Sequence, residues 1–437
     1  MTSPTKLRAA GLLERYHITR HFLHLDSSVV VSARYTCTDG SLLTKEILFP
    51  ALRKVIEKHP VLAVKLQEED VNPSFVRLAK IELPLVTQFS DDDDLELAIK
   101  RHLSKRFDTH AELPLWRVEI LKDGTVIFAF HHGICDGLSG VTFHSSLLTA
   151  LQDVITVEIS VLVEVPDTLS LLPPIEVATS LRPSLRKIIT EIFSLLAPAS
   201  WTRGYSAWTA NPVSKNIQLD PRVKLFTFTN TEMTAFSAAC RSHGATITSA
   251  FYCLAVATIS RLIPPASQQY KTLSAFVPVN LRGVAGVAAD TMCDYVSAHH
   301  TYPPLNPTFE WPTAARYASE LQRQKHAARE EIGMLSFLFG NYAGFLRGQL
   351  GRKRVGTFEI SNAGRVCMPT IDGSWHIENM AFAQCNVILG SALTLSVIGD
   401  PTGATTVALT SGEDAIDGML VESFVTDFKD AFRALLV

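Results

Sequence analysis

Residues 125–130, Thr-Val-Ile-Phe-Ala-Phe, form an uncharged and mostly apolar run introduced by Asp123-Gly124. Such a run after an Asp-Gly turn reads as a buried strand. His131-His132-Gly133-Ile134-Cys135-Asp136-Gly137 follows it directly. Beyond that, Leu138, Val141, Leu147, Leu148 and Leu151 recur at near-helical spacing as far as Gln152. The chain therefore passes from a buried strand, through two histidines and an aspartate, into a helix. A strand end held in this way positions a polar group well. Consecutive residues leaving a strand point to opposite sides, so His131 and His132 face different spaces.

Imidazole titrates close to neutral pH, which suits it to taking a proton from an attacking alcohol or amine. Asp136 lies among residues that read as buried, and a buried carboxylate needs a partner. The stretch Ala-Phe-Val-Pro-Val-Asn-Leu-Arg, 275–282, reads as a strand that ends at Arg282. Pro278 is expected near the exit of that strand or on an edge, where its missing amide is tolerated. Read alone, the histidines would be a structural pair and Arg282 an exposed loop cation. No zinc site is expected, because no second pair at Cys-x-x-Cys or His-x-x-x-His spacing is taken to complete a set with His131, His132 and Cys135. Further on, 355–360 alternates as a strand, and Ser361-Asn362-Ala363-Gly364 reads as a turn. Were the chemistry one that builds an oxyanion, as acyl transfer does, Ser361 would be the candidate donor to it, with Asn362 as an orienter or second donor.

The order His-His-x-x-x-Asp-Gly after a strand resembles a superfamily of acyltransferases. It includes chloramphenicol acetyltransferase, plant acyl-CoA acyltransferases, fungal alcohol acetyltransferases and peptide-synthetase condensation domains. The Val-Pro-Val-Asn-Leu-Arg stretch and Ser-Asn-Ala-Gly are similar to segments of the same group. So are Gly11, Glu14, Arg20 and 59–62 in the opening of the chain. Plant members carry Asp-Phe-Gly-Trp-Gly near the C-terminus, and condensation domains a His-Gln-Asp-x-Pro segment. Neither is present, which favours the fungal branch. The resemblance implies an α/β fold of two chloramphenicol-acetyltransferase-like domains, each a mixed β-sheet flanked by helices, with an active-site channel between them. It implies His132 as the base. Asp136, Gly137, Arg282 and His131 would be structural at the site, with Asp136 ordering its loop through Arg282.

At 437 residues, with 47% apolar and 19% charged, the composition is that of a globular chain with ample core. A net charge of −3 leaves no basic footprint for nucleic acid. Seven scattered cysteines suit reduced thiols, the first residues lack a signal-peptide pattern, and no uncharged run reaches membrane-spanning length. A cytoplasmic monomer without stable membrane insertion is expected. Residues 188–201 read as a packed amphipathic helix, with reversible membrane contact as the alternative.

The domains expected are 1–165, a proline-broken crossover at 166–215 whose one helical stretch is 185–196, and 216–437. Strands are expected at 28–35, 223–229, 392–398 and 405–410. Helices are expected around Leu48, Leu52 and Ile56 and at 95–103, 231–240, 246–259, 312–331 and 419–436. The Asp91–94 run reads as a solvated turn. The function expected is CoA-dependent O-acyl transfer, with acetyl-CoA as co-substrate, a small-molecule alcohol as acceptor and no bound cofactor or metal. Arg347, Arg352, Lys353 and Arg354 are candidate contacts for the CoA phosphates. The alternatives are a condensation-like or cyclising enzyme using a carrier-protein thioester, and an inactive binding relative.

Overall fold

In the computed structural model Thr125–Phe130 is a strand with all six residues buried. The structure describes residues 6–153, 160–264, 267, 269–367, 373–385 and 387–436, so the first five residues of the opening segment lie outside it. The principal elements of the first half are α1 (Leu12–Phe22), β1 (Val29–Cys37), α2 (Lys45–Lys58), β2 (Thr87–Phe89), α3 (Leu95–Ser104), β3 (Trp116–Ile120), β4 (Thr125–Phe130) and α4 (Gly137–Gln152). The crossover carries α5 (Leu185–Leu196). The second half holds β5 (Pro221–Phe228), α6 (Asn230–Ser242), α7 (Ile247–Leu262), β6 (Ala275–Asn280), β7 (Val296–Thr301), α8 (Trp311–Gln324) and α9 (Arg329–Met334). It continues with β8 (Phe358–Arg365), β9 (Trp375–Gln384), β10 (Leu393–Gly399), β11 (Thr405–Gly412) and α10 (Gly418–Ala434).

Two mixed sheets organise these elements. One has strand order β9-β1-β4-β3-β2 and the other β5-β11-β10-β8-β6-β7. Strand β4 shows why its sequence is apolar throughout. Val126, Phe128 and Phe130 enter a core shared with α2 and α4, whereas Ile127 and Ala129 enter another shared with α3. Phe128 stacks on Phe143 of α4 with ring centroids 3.8 Å apart. In the second half α7 is buried between the sheet and α10, whose Phe424, Phe428 and Phe432 face it. A division at residue 215 separates the sheets except for β9, which comes from the second half and pairs antiparallel with β1 from Trp375↔Cys37 to Gln384↔Val29.

Three local expectations are corrected. Ser361–Gly364 is not a turn that ends a strand. Strand β8 runs on to Arg365 through a register shift after Asn362, and Gly364 takes the left-handed conformation there (φ 80°). Helix α5 is not packed through its apolar face: Leu185 is 78% and Leu196 81% exposed, and Ile189, Ile192 and Phe193 are exposed as well. Polar edge contacts hold it instead, from Ser184 to Glu330 (2.8 Å) and from Lys187 to Glu331 (2.5 Å). The crossover also contains the short helix Ile175–Ala178 and two 3-10 turns besides α5. All seven cysteines are free, and among the described residues no single helix is long and apolar enough to cross a membrane.

Candidate active site

The two histidines leaving β4 part as strand geometry requires. His131 turns inward: its ring lies 4.4 Å from that of His21, and its Nδ1 accepts from the Gly133 amide at 2.8 Å. Burial pushes its pKa down to about 3. His132 turns the other way and stacks face to face on His17 of α1, with centroids 3.7 Å apart and planes 8° apart. Burial lowers its pKa, partly opposed by the charge of Asp26, so the ring is neutral at neutral pH. His17 and His21 stand one helical turn apart at His-x-x-x-His spacing, so each meets one of the two strand-end histidines. His17, His132 and Asp294 do offer ligand atoms within 4.8 Å of one another. The rings are stacked in parallel, however, so the two nitrogens lie side by side, each facing its own oxygen of the Asp294 carboxylate.

Asp136 caps the N-terminus of α4, accepting from the Ser139 amide at 3.0 Å. Its carboxylate also takes two bonds from Arg282, Nη1 to Oδ2 at 2.7 Å and Nη2 to Oδ1 at 2.8 Å. Both side chains are almost fully enclosed, Arg282 at 1% and Asp136 at 3% exposure. With its lone pairs committed in this way, Asp136 is an anchor rather than a proton acceptor. Gly137 has a steric reason: a Cβ there would meet Cζ of Phe382, on β9, at 2.8 Å. Pro278 sits where β6 has left β8, since their pairing ends at Phe276↔Glu359, and it pairs with Ala298 on the β7 side alone.

His132 opens onto a cavity of about 460 Å³ bounded by α1, β6, β7, β8 and β9. Ser361 of β8 lines this cavity, and among the described residues its hydroxyl makes no hydrogen bond to the protein. Asn362 does not share that role. Strand alternation puts it on the other face, where its Nδ2 donates to Thr248 (3.0 Å), its Oδ1 accepts from Gly364 (2.8 Å), and it lines a separate cavity of about 260 Å³ with Arg241 and Arg365.

The basic cluster expected to meet CoA does not act as a unit, and none of its four members lines the His132 cavity. Arg354 is 2% exposed and donates to the carbonyls of Ile388 (2.7 Å) and Gly390 (2.8 Å). Those buried carbonyls need donors, so its charge serves the backbone. Lys353 is spent on the carbonyls of Gly204 and Tyr205, while Arg347 and Arg352 are exposed. Sequence reasoning assigned no role to His17, Arg20, Asp26 and His300, which line the cavity, or to Asp294, which lies outside its lining. Arg20 pairs with Asp26 at 3.3 Å, and His300 stacks on Phe276 with its Nε2 2.8 Å from the Ser274 hydroxyl. Asp294 lies beneath His132, one of its oxygens 3.6 Å from Nδ1. The i,i+4 histidines were the available signal; a lone aspartate in a loop carried none.

Comparison with known proteins follows the same line. The family model described as alcohol acetyltransferase matches residues 85–432. An uncharacterized protein of Schizosaccharomyces pombe is 28% identical over 430 residues, covering 93% of this chain and 92% of the other. A probable alcohol acetyltransferase of Aspergillus fumigatus is 22% identical, covering 93% and 95%. Among solved structures, the TRI3 trichothecene 15-O-acetyltransferase of Fusarium sporotrichioides superposes with a TM-score of 0.71 at 15% identity, over 98% of this chain and 94% of that one.

Proposed function

This chain belongs to the alcohol acetyltransferase family, and from that premise we propose an O-acyl transfer from acetyl-CoA to a small alcohol, with His132 as general base. The observation that carries the reading is the neutral His132 ring facing a cavity that Ser361 also lines with an uncommitted hydroxyl. As the acceptor oxygen attacks the thioester carbon, its proton passes to Nε2 of His132. The carbonyl oxygen becomes an oxyanion that the Ser361 hydroxyl can meet. The intermediate collapses by breaking the C–S bond, and the leaving thiolate takes the proton back from His132. Ester and free CoA result, and no redox partner or further reactant is needed.

The walls of the cavity suggest the acceptor class. Leu13, Ile332, Leu335, Phe345, Phe382 and Leu389 make much of the lining apolar, and about 460 Å³ is the size of a small-molecule site. An alcohol with a hydrophobic body fits this better than a polyol. The test is incubation with acetyl-CoA and a panel of alcohols, following release of free thiol. Turnover should favour apolar alcohols, and His132→Ala should lower it by at least about 10²-fold with the fold intact. A variant as active as the parent would sink the assignment of the base.

A further inference from the structure

The carboxylate of Asp294 is among the most enclosed in the molecule, at 3% exposure, yet neither oxygen has a hydrogen-bond partner within bonding distance among the described residues. A buried carboxylate left in that state costs several kcal/mol. Two ring nitrogens face it just beyond hydrogen-bond length: Nδ1 of His132 at 3.6 Å and Nε2 of His17 at 3.7 Å. A side-chain adjustment of a few tenths of an ångström would let both rings donate to the same anion.

The placement of Asp294 follows from the Asp136–Arg282 pair. Arg282 Nη2 donates to the carbonyl of Cys293 (3.2 Å), the neighbour of Asp294, and Arg282 Nε donates to that of Thr291 (2.9 Å). The Ser139 hydroxyl, itself bonded to Asp136 and Arg282, accepts from the Cys293 amide at 3.0 Å. The Asp136 amide donates to the Cys293 carbonyl at 3.1 Å. The motif aspartate thus clamps the backbone of Cys293, and the next side chain along is directed under His132.

We propose that Asp294 is a positioning residue for His132, holding the Nδ1 proton so that the Nε2 lone pair faces the cavity, with the stacked His17 ring fixing the plane. The inference rests on His132 being the base. When the base takes the acceptor proton it becomes an imidazolium, and Asp294 then supplies the opposite charge from the far side of the ring. His17 shares the carboxylate and keeps the ring from rotating. The charged and titratable groups around this cluster are Glu14 and Arg20 on α1, Asp26, His131, Asp136 and Arg282, all closed off from bulk water or nearly so. Burial pushes the Asp294 carboxyl well above the usual range, so its ionised form depends on N–H donors such as the two rings that face it.

The test combines a spectroscopic and a kinetic readout. In wild-type protein with ¹⁵N-labelled histidine, His132 should be the tautomer protonated on Nδ1, assigned by the loss of its signals in His132→Gln. A resting ring protonated on Nε2 would overturn the proposal without any variant of Asp294 having to fold. In Asp294→Asn the amide should donate to Nδ1 and force the wrong tautomer. The expected result is a fall in kcat of about 10²-fold or more with the KM for acetyl-CoA little changed, and an acid limb of kcat/KM displaced from its wild-type position. Unchanged kcat and acid limb would also overturn it. Failure of the base assignment itself looks different, since His132→Gln would then turn over normally whatever the tautomer.

Discussion

Asp136 and Arg282 stand 146 residues apart in the chain and close a two-bond ion pair from which water is all but excluded. The pair joins the start of α4, in the first half, to the loop that leaves β6, in the second. Its worth lies in what it aligns. Removing one partner strands a buried charge, at a cost of about 3–5 kcal/mol. Asp136→Ala and Arg282→Ala should each lower the urea midpoint and the soluble yield as well as turnover. The double variant should recover part of the stability without recovering activity. Single variants as stable as the parent would mean the pair contributes nothing to the fold.

Ser361 and Asn362 are neighbours on β8 with opposite outlooks, which makes them a matched contrast. Loss of an oxyanion donor typically raises the barrier by about 2.7–4 kcal/mol. Ser361→Ala should therefore depress kcat roughly 10²- to 10³-fold with little effect on acetyl-CoA affinity. Asn362→Ala removes bonds to Thr248 and Gly364 on the far face, and its effect should appear in thermal stability rather than in kcat. Equal losses of kcat in both would argue against Ser361 as the donor.

Arg354 supplies a test that separates backbone support from ligand binding. Arg354→Ala leaves the carbonyls of Ile388 and Gly390 without their donor, each at about 1–3 kcal/mol. Thermal scans should show a large fall in melting temperature. Enzyme that remains folded should keep a KM for acetyl-CoA near that of the parent. A tenfold rise in that KM at unchanged stability would restore Arg354 to the CoA site.

Acid should unfold the protein early. Burial holds His131 down to about 3 and His59, His144 and His300 down to about 4. The unfolded chain takes up protons as pH falls below about 6.5, whereas the folded one resists until about 4. Folded histidine values below the unfolded value mean that stability is complete above about 6.5 and drains away through the window below it. Each group contributes at most about 1.4 kcal/mol per pH unit there. Urea midpoints measured at pH 7, 6 and 5 should fall in that order, and a flat series would contradict it.

The sequence made the approach to the site legible because the approach is local. An apolar run, an Asp-Gly turn and helical periodicity located β4 and α4; the burial around Asp136 carried the demand for a partner, and the resemblance pointed to Arg282. What stayed hidden depends on long-range pairing or on a break in a period. Strand β9 went unseen because Asn379 adopts a left-handed conformation (φ 51°) and shifts the register between Glu378 and Met380, which breaks the alternation that would have marked it. Arg354 is set apart from the other basic residues near it by carbonyls that draw it inward and that no sequence pattern announces. Asp294 lies in a loop whose sequence carries no pattern to mark it, and the clamp on Cys293 holds it inside. Helix α5 shows the opposite failure: its apolar stripe is real, but the tertiary fold leaves it facing outward.

Strand β9 also sets an order of assembly. A chain emerging from the ribosome is made N-terminal end first, at about 5–20 residues per second. The edge of β1 that β9 will cover therefore stands bare until residue 384 has been synthesised. An unpaired edge of that kind is a template for pairing with other chains. A fragment ending at residue 215 would keep that edge permanently and would lack Phe382, the side chain that closes over Gly137. The first half carries both motif histidines, yet its sheet is completed only by residues 375–384, so its nascent form needs protection from neighbouring chains until that strand has been made.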